Sequence, residues 1–100
     1  MAGMRFKDYL DLLDEEDRNY VLKNLDEEEE KLRKFLERFD ENQLNGIAIM
    51  MNDTFNMPSD DLGVVDFIVE LYKCQKADFL YEEVGELIED IKMFADEEFD

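Results

Sequence analysis

One hundred residues with 45 % hydrophobic content can build one small core but not two, so the whole chain, residues 1–100, is expected to be a single domain. Twenty-nine acids against eleven Lys and Arg leave a formal charge of −18, which rules against direct binding to nucleic acid or to an anionic membrane, since both need a cationic face. There is no His and no Trp, and there is one Cys, so Ser-His or Cys-His catalysis, zinc sites built on His or several Cys, and an intrachain disulfide are excluded as well.

Eight Phe and four Tyr distinguish the chain from a disordered acidic tail. No apolar run approaches the roughly 20 residues that cross a bilayer, and no charged-then-apolar leader opens the sequence. A cytoplasmic protein is expected, and the lone Cys74 suits a reducing compartment.

Residues 1–3 are expected to fray. Phe6, Tyr9, Leu10 and Leu13 then mark a short amphipathic helix, followed by Asp14 as the cap of a second helix over residues 15–25 with Tyr20, Val21 and Leu25 inward. The acids Asp14 to Asp17 stand at its first turn, where the helix dipole favours negative charge. Asp26 repeats the device for a third helix with Leu32, Phe35, Leu36 and Phe39 inward, while Lys31, Arg33, Lys34 and Arg38 follow acids at helical spacing. A fourth helix is expected from about Asp40 through Leu44, Ile47 and Met51 to Phe55, although the string IAIMM also fits a short buried strand. Pro58, with Ser59 as a cap, makes the main break at 56–61.

From Asp60 to about Gln75 the apolar residues cover most of a helix circumference, which predicts the central, most buried helix. Its seam does not continue in phase beyond Lys76 and Ala77, so a kink or turn is expected there. Leu80, Val84, Leu87, Ile91 and Phe94 form the seam of a last helix over Asp78 to Asp100. That seam can pack inside the monomer or against a second copy in a homodimer. The whole reads as an all-α bundle of five to six helices with an acidic surface.

Charge is unevenly distributed. Residues 1–38 hold twelve acids and eight bases, whereas residues 39–100 hold seventeen acids and three bases. In the last 23 residues ten acids face the single Lys92. The candidate partner-binding residues are therefore Asp78, Glu82, Glu83, Glu86, Glu89, Asp90, Asp96, Glu97 and Glu98. Carboxylates four residues apart on a helix lie about 6 Å apart along its axis. That is comparable to the spacing of successive phosphates on a nucleic-acid strand, so Glu82, Glu86 and Asp90 form a phosphate-like row. The plainer reading of the same acids is a solvated, highly soluble helix face.

Other chemistry is poorly matched. A calcium loop with Gly46 at its sixth position has no closing Glu, and a lone Cys74 beside Lys73 and Lys76 reads as a buried thiol. The six methionines, Met50 and Met51 among them, read as core filler. Glu82-Glu83-Val84-Gly85-Glu86-Leu87 resembles the first metal-binding helix of the all-α nucleotide pyrophosphohydrolases of the MazG type. Glu83 and Glu86 match the first pair of that pattern, and Glu97 and Asp100 imitate the second after only ten residues. This resemblance implies magnesium and pyrophosphate release.

In composition and in its acidic C-terminal helix the chain resembles the phage-encoded DNA-mimic inhibitors of host defence, the anti-restriction and anti-CRISPR proteins. That resemblance implies a non-catalytic inhibitor without cofactor, acting in a bacterial host cell on a basic nucleic-acid-binding protein such as a defence nuclease. An antitoxin or immunity-type protein that neutralises one dedicated partner is the alternative, and a magnesium-dependent nucleotide pyrophosphohydrolase the second.

Overall fold

The computed structural model describes residues 5–51 and 63–98. They form an all-α bundle of six helices: α1 (Phe6–Leu12), α2 (Glu15–Leu22), α3 (Leu25–Leu36), α4 (Glu41–Met51), α5 (Val64–Ala77) and α6 (Val84–Glu98). Among the described residues there is no strand, and IAIMM lies within α4, where Ile47, Ala48 and Met51 are buried. The expected continuation to Phe55 and the break at 56–61, with Pro58 and Ser59, fall outside the described residues, as do residues 1–3.

α5 is the axis of the fold. It packs against α1, α2, α3 and α4, and α6 lies on α3. Ile68, Val69, Leu71, Tyr72, Cys74 and Ala77 of α5 are all buried, which is why its apolar residues wrap the helix instead of forming one stripe. Burial pushes the Cys74 thiol up to about 12, so the nearby cation Lys73 does not activate it.

Local chemistry accounts for the starts of α2 and α4. Asp14 Oδ1 accepts from the Asp17 amide at 2.8 Å, and Asp40 makes the reciprocal pair with Gln43, at 2.8 Å to its amide and 3.0 Å from its side-chain oxygen. Two boundaries differ from expectation. The second helix stops at Leu22 because Asn24 turns left-handed at φ 63°, and that turn, not an Asp26 cap, starts α3 at Leu25. The fifth helix starts at Val64 with Gly63 at its cap, four residues later than the expected Asp60.

The last helix needs the largest correction. It begins at Val84, not Asp78, because α5 closes in a left-handed turn at Phe79, φ 61°. The Phe79 amide bonds to the Lys76 carbonyl at 3.0 Å and the Leu80 amide to that of Gln75 at 2.9 Å, the paired bonds of a Schellman turn. Leu80 thereby leaves the expected seam and is 54 % exposed, while Val84, Leu87, Ile88 and Ile91 are buried with Phe94 packed at the edge. Tyr20, expected inward, is 48 % exposed and stacks on Phe79 with ring centroids 5.9 Å apart. Met51 fills the core, but Met93 stands in solvent.

Since Leu71 is fully buried and Ile49 is 70 % exposed, Leu71→Ala is expected to cost about 2–5 kcal/mol of unfolding free energy in urea titration and Ile49→Ala within about 0.5 kcal/mol.

Candidate functional site

The site is positioned from a distance by one carboxylate. Glu28 projects from α3 towards the start of α6, where Glu28 Oε2 accepts from the Val84 amide at 3.1 Å and from the Tyr72 hydroxyl at 3.1 Å. Glu28 Oε1 stands 2.8 Å from Lys76 Nζ, and that ammonium also donates to the Glu82 carbonyl at 2.6 Å. The side chains are 13 % and 5 % exposed, so this is a largely buried ion pair, further contacted by the Val84 amide, the Glu82 carbonyl and the Tyr72 hydroxyl. Val84 is the first residue of α6, whose amide has no partner within its own helix, and Glu28 satisfies it from 56 residues away. The same device holds α1: Glu70 of α5 accepts from the Phe6 amide at 2.8 Å. Burial and the adjoining Glu28 carboxylate push the Tyr72 phenol far above its ordinary 10, which keeps it a hydrogen-bond donor.

A second acid of α3 takes the other lysine of α5. Lys73 Nζ meets Glu29 Oε1 at 2.5 Å, and Arg33 links Glu29 at 3.3 Å with Asp66 at 2.9 Å. The hydrogen bond from Lys73 holds the Glu29 carboxyl below its ordinary 4.5. Of the three bases beyond residue 38, Lys73 and Lys76 are thus bound to α3, and Lys92 alone stays on the acidic helix, 3.7 Å from Glu89.

All nine candidate residues are exposed. Asp78, Glu82 and Glu83 lie in the turn between α5 and α6, whereas Glu86, Glu89, Asp90, Asp96, Glu97 and Glu98 lie on α6. The row of Glu82, Glu86 and Asp90 is therefore part turn and part helix, tied together where Glu86 Oε2 accepts from the Glu82 amide at 3.1 Å. Asp90 Oδ2 accepts from the Tyr81 hydroxyl. Glu82 and Glu83 also border a cavity of about 470 Å³ against the α2–α3 corner, which brings them near Lys23 and Lys31. Glu83 and Glu86 fall on either side of the start of α6, not together within one helix as the pyrophosphohydrolase pattern has them. Asp100 lies outside the described residues, and among those described no cluster of ligands suited to a metal ion occurs. No described helix is long and apolar enough to cross a membrane.

Comparison with protein-family models, with curated proteins and with solved structures finds no match to this chain.

Sequence patterns do not reveal Glu28 or Lys76. Glu28 is one of five consecutive acids and Lys76 one of two lysines near the end of an apolar helix, and the contacts of Glu28 span 44 to 56 residues. Removing Lys76 strands a buried carboxylate, so Lys76→Met is expected to lower stability by about 3–5 kcal/mol in urea unfolding, with faster exchange of the Val84 amide by hydrogen-exchange NMR.

The depressed Glu29 carboxyl gives a second expectation. Its contribution to stability is complete above pH 4.5, its unfolded value, and is lost as pH falls through the lower folded value. The stability gap between the wild type and Lys73→Met, followed by urea unfolding at a series of pH values, is expected to be constant above pH 4.5 and to close below it.

Proposed function

We propose that this protein is a non-catalytic inhibitor that binds a basic nucleic-acid-binding protein, such as a defence nuclease or CRISPR effector, through the acidic surface of α6 and the turn before it. The observation that carries the reading is the allocation of charge. α3 carboxylates neutralise Lys73 and Lys76, while the nine exposed acids at the C-terminal end have Lys92 as the one base in their own stretch, residues 78–98.

The placement of these acids adds a second argument. Asp96, Glu97 and Glu98 occupy the last turn of α6, which holds no base, and Asp78 sits at the C-terminal cap of α5. A carboxylate there opposes the helix dipole at a cost of about 0.3–1 kcal/mol. Those charges disfavour the helices that carry them, unlike Glu15, Glu16 and Asp17 at the start of α2. Selection for an interaction with a cationic surface gives a reason for keeping them, and such a surface would associate fast and with strong salt dependence.

The experiment is a capture from bacterial lysate with the tagged protein, with and without duplex DNA as competitor. Recovery of a DNA- or RNA-binding protein that DNA displaces is expected. A single partner indifferent to DNA would overturn the mimicry and favour a dedicated neutraliser, and magnesium-dependent release of pyrophosphate from a nucleoside triphosphate would favour the enzyme. With the captured partner, combining Glu82→Gln, Glu86→Gln, Glu89→Gln and Asp90→Asn is expected to weaken binding at least about tenfold, because close interfacial charge pairs contribute more than 1 kcal/mol each. Circular dichroism should show the helices unchanged, since these side chains are exposed.

A further inference from the structure

Beside Asp90 the acidic surface opens into a groove of a different character. Met50, Met51, Gln75, Leu80, Tyr81, Asp90 and Met93 line a cavity of about 550 Å³ between the end of α4, the last turns of α5, the turn after it and α6. Leu80 and Met93 are 54 % and 65 % exposed at its edge. Inside it, Gln75 is buried, its side-chain nitrogen donating to the Met51 carbonyl at 3.1 Å. That bond fixes which end of the amide is nitrogen, because only nitrogen donates to a carbonyl. Gln75 Oε1 is left buried without a hydrogen-bond partner.

We propose that this groove receives an arginine side chain of the basic partner, an inference that rests on the function proposed above and names the partner's anchoring residue. The walls supply what arginine needs along its length. Met50, Met93 and Leu80 form an apolar channel for the methylene stem, the Asp90 carboxylate stands at its wall, and the unpartnered Gln75 carbonyl oxygen lies buried beneath it, within reach once the side chains at the mouth give way to an inserted head. Arginine carries five N–H donors and no acceptor, which complements that pair of acceptors. A lysine of equal charge has a compact, strongly hydrated head that lacks the planar, pre-organised fork of donors and is costlier to strip of water. An apolar anchor without a donor would leave Gln75 Oε1 unsatisfied, at a cost that a donor avoids. Asp90 belongs to both features, so arginine insertion would set the register of the wider acidic surface on its target. The Tyr81 hydroxyl, bonded to Asp90 Oδ2, holds that carboxylate in place at the wall.

The test uses oligo-arginine and oligo-lysine peptides of equal length and charge, titrated at low salt by calorimetry and followed by NMR of the labelled methionine methyls. The arginine peptide is expected to bind about tenfold more tightly and to shift the Met50 and Met93 methyls, reflecting the weaker hydration and planar fork of donors that lysine lacks. Combining Leu80→Ser with Met93→Ser, both exposed positions whose change leaves the core intact, should bring the two affinities to parity. Gln75→Leu should do the same by removing the acceptor.

Equal affinity with unmoved methyls would overturn the inference and leave the proposed function standing. Absence of binding by either peptide would overturn both. Methyl shifts that grow with protein concentration alone would assign the groove to a second copy of the chain and overturn the arginine reading.

Discussion

The buried pair of Glu28 and Lys76 fixes where the acidic helix sits. Without it, the first amide of α6, the Tyr72 hydroxyl and the carbonyl of Glu82 lose their partners together. A pair of this kind contributes little net stability when intact, because desolvation offsets the attraction, but leaves a strongly unfavourable charge when broken. Its effect is therefore positional: α6 can dock on α3 only where its N-terminus meets Glu28. The Glu70 contact to Phe6 applies the same constraint to α1. Both terminal helices are thus held by carboxylates of interior helices, which is an unusual use of acids in a chain that already carries too many.

That use explains the separation of charge. Acids of α3 and α5 hold Lys76 in a site shielded from water and Lys73 and Arg33 in more open ones, and those bases are then engaged away from α6. Other acids stand at helix starts such as that of α2, but nine crowd the turn after α5 and the exposed side of α6, where Lys92 is the one base. Their mutual repulsion opposes folding. A cationic partner would relieve it, which links the way the fold is held together to the function proposed for it.

Much of this fold was legible in the sequence because period and capping agree. The seam of α3, the Asp14 cap and the encircling apolar residues of α5 follow from spacing, and the phase mismatch at Lys76 and Ala77 marks a turn. The extent of that turn was hidden because Phe79 holds the left-handed position where glycine is the usual signal. The same turn carries Leu80 out of the seam and places Phe79 against Tyr20, so Tyr20 faces outward despite its helical spacing. The acidic surface could be read as composition, and all nine of its candidate residues are exposed. Lys76 could not, since a lysine in sequence reads as surface and only a distant carboxylate makes its burial tolerable. The orphaned oxygen of Gln75 is likewise a product of packing, set by the carbonyl of Met51 at the end of another helix.

The salt dependence of the association constant with the captured partner tests the central claim most directly. If a displaced nucleic acid is what the nine carboxylates imitate, affinity should fall steeply and linearly on a logarithmic salt scale from low salt to roughly 0.5 M, where exposed charges are largely screened. An affinity that stays constant over that range would contradict the account and leave the acidic face as a solvated surface.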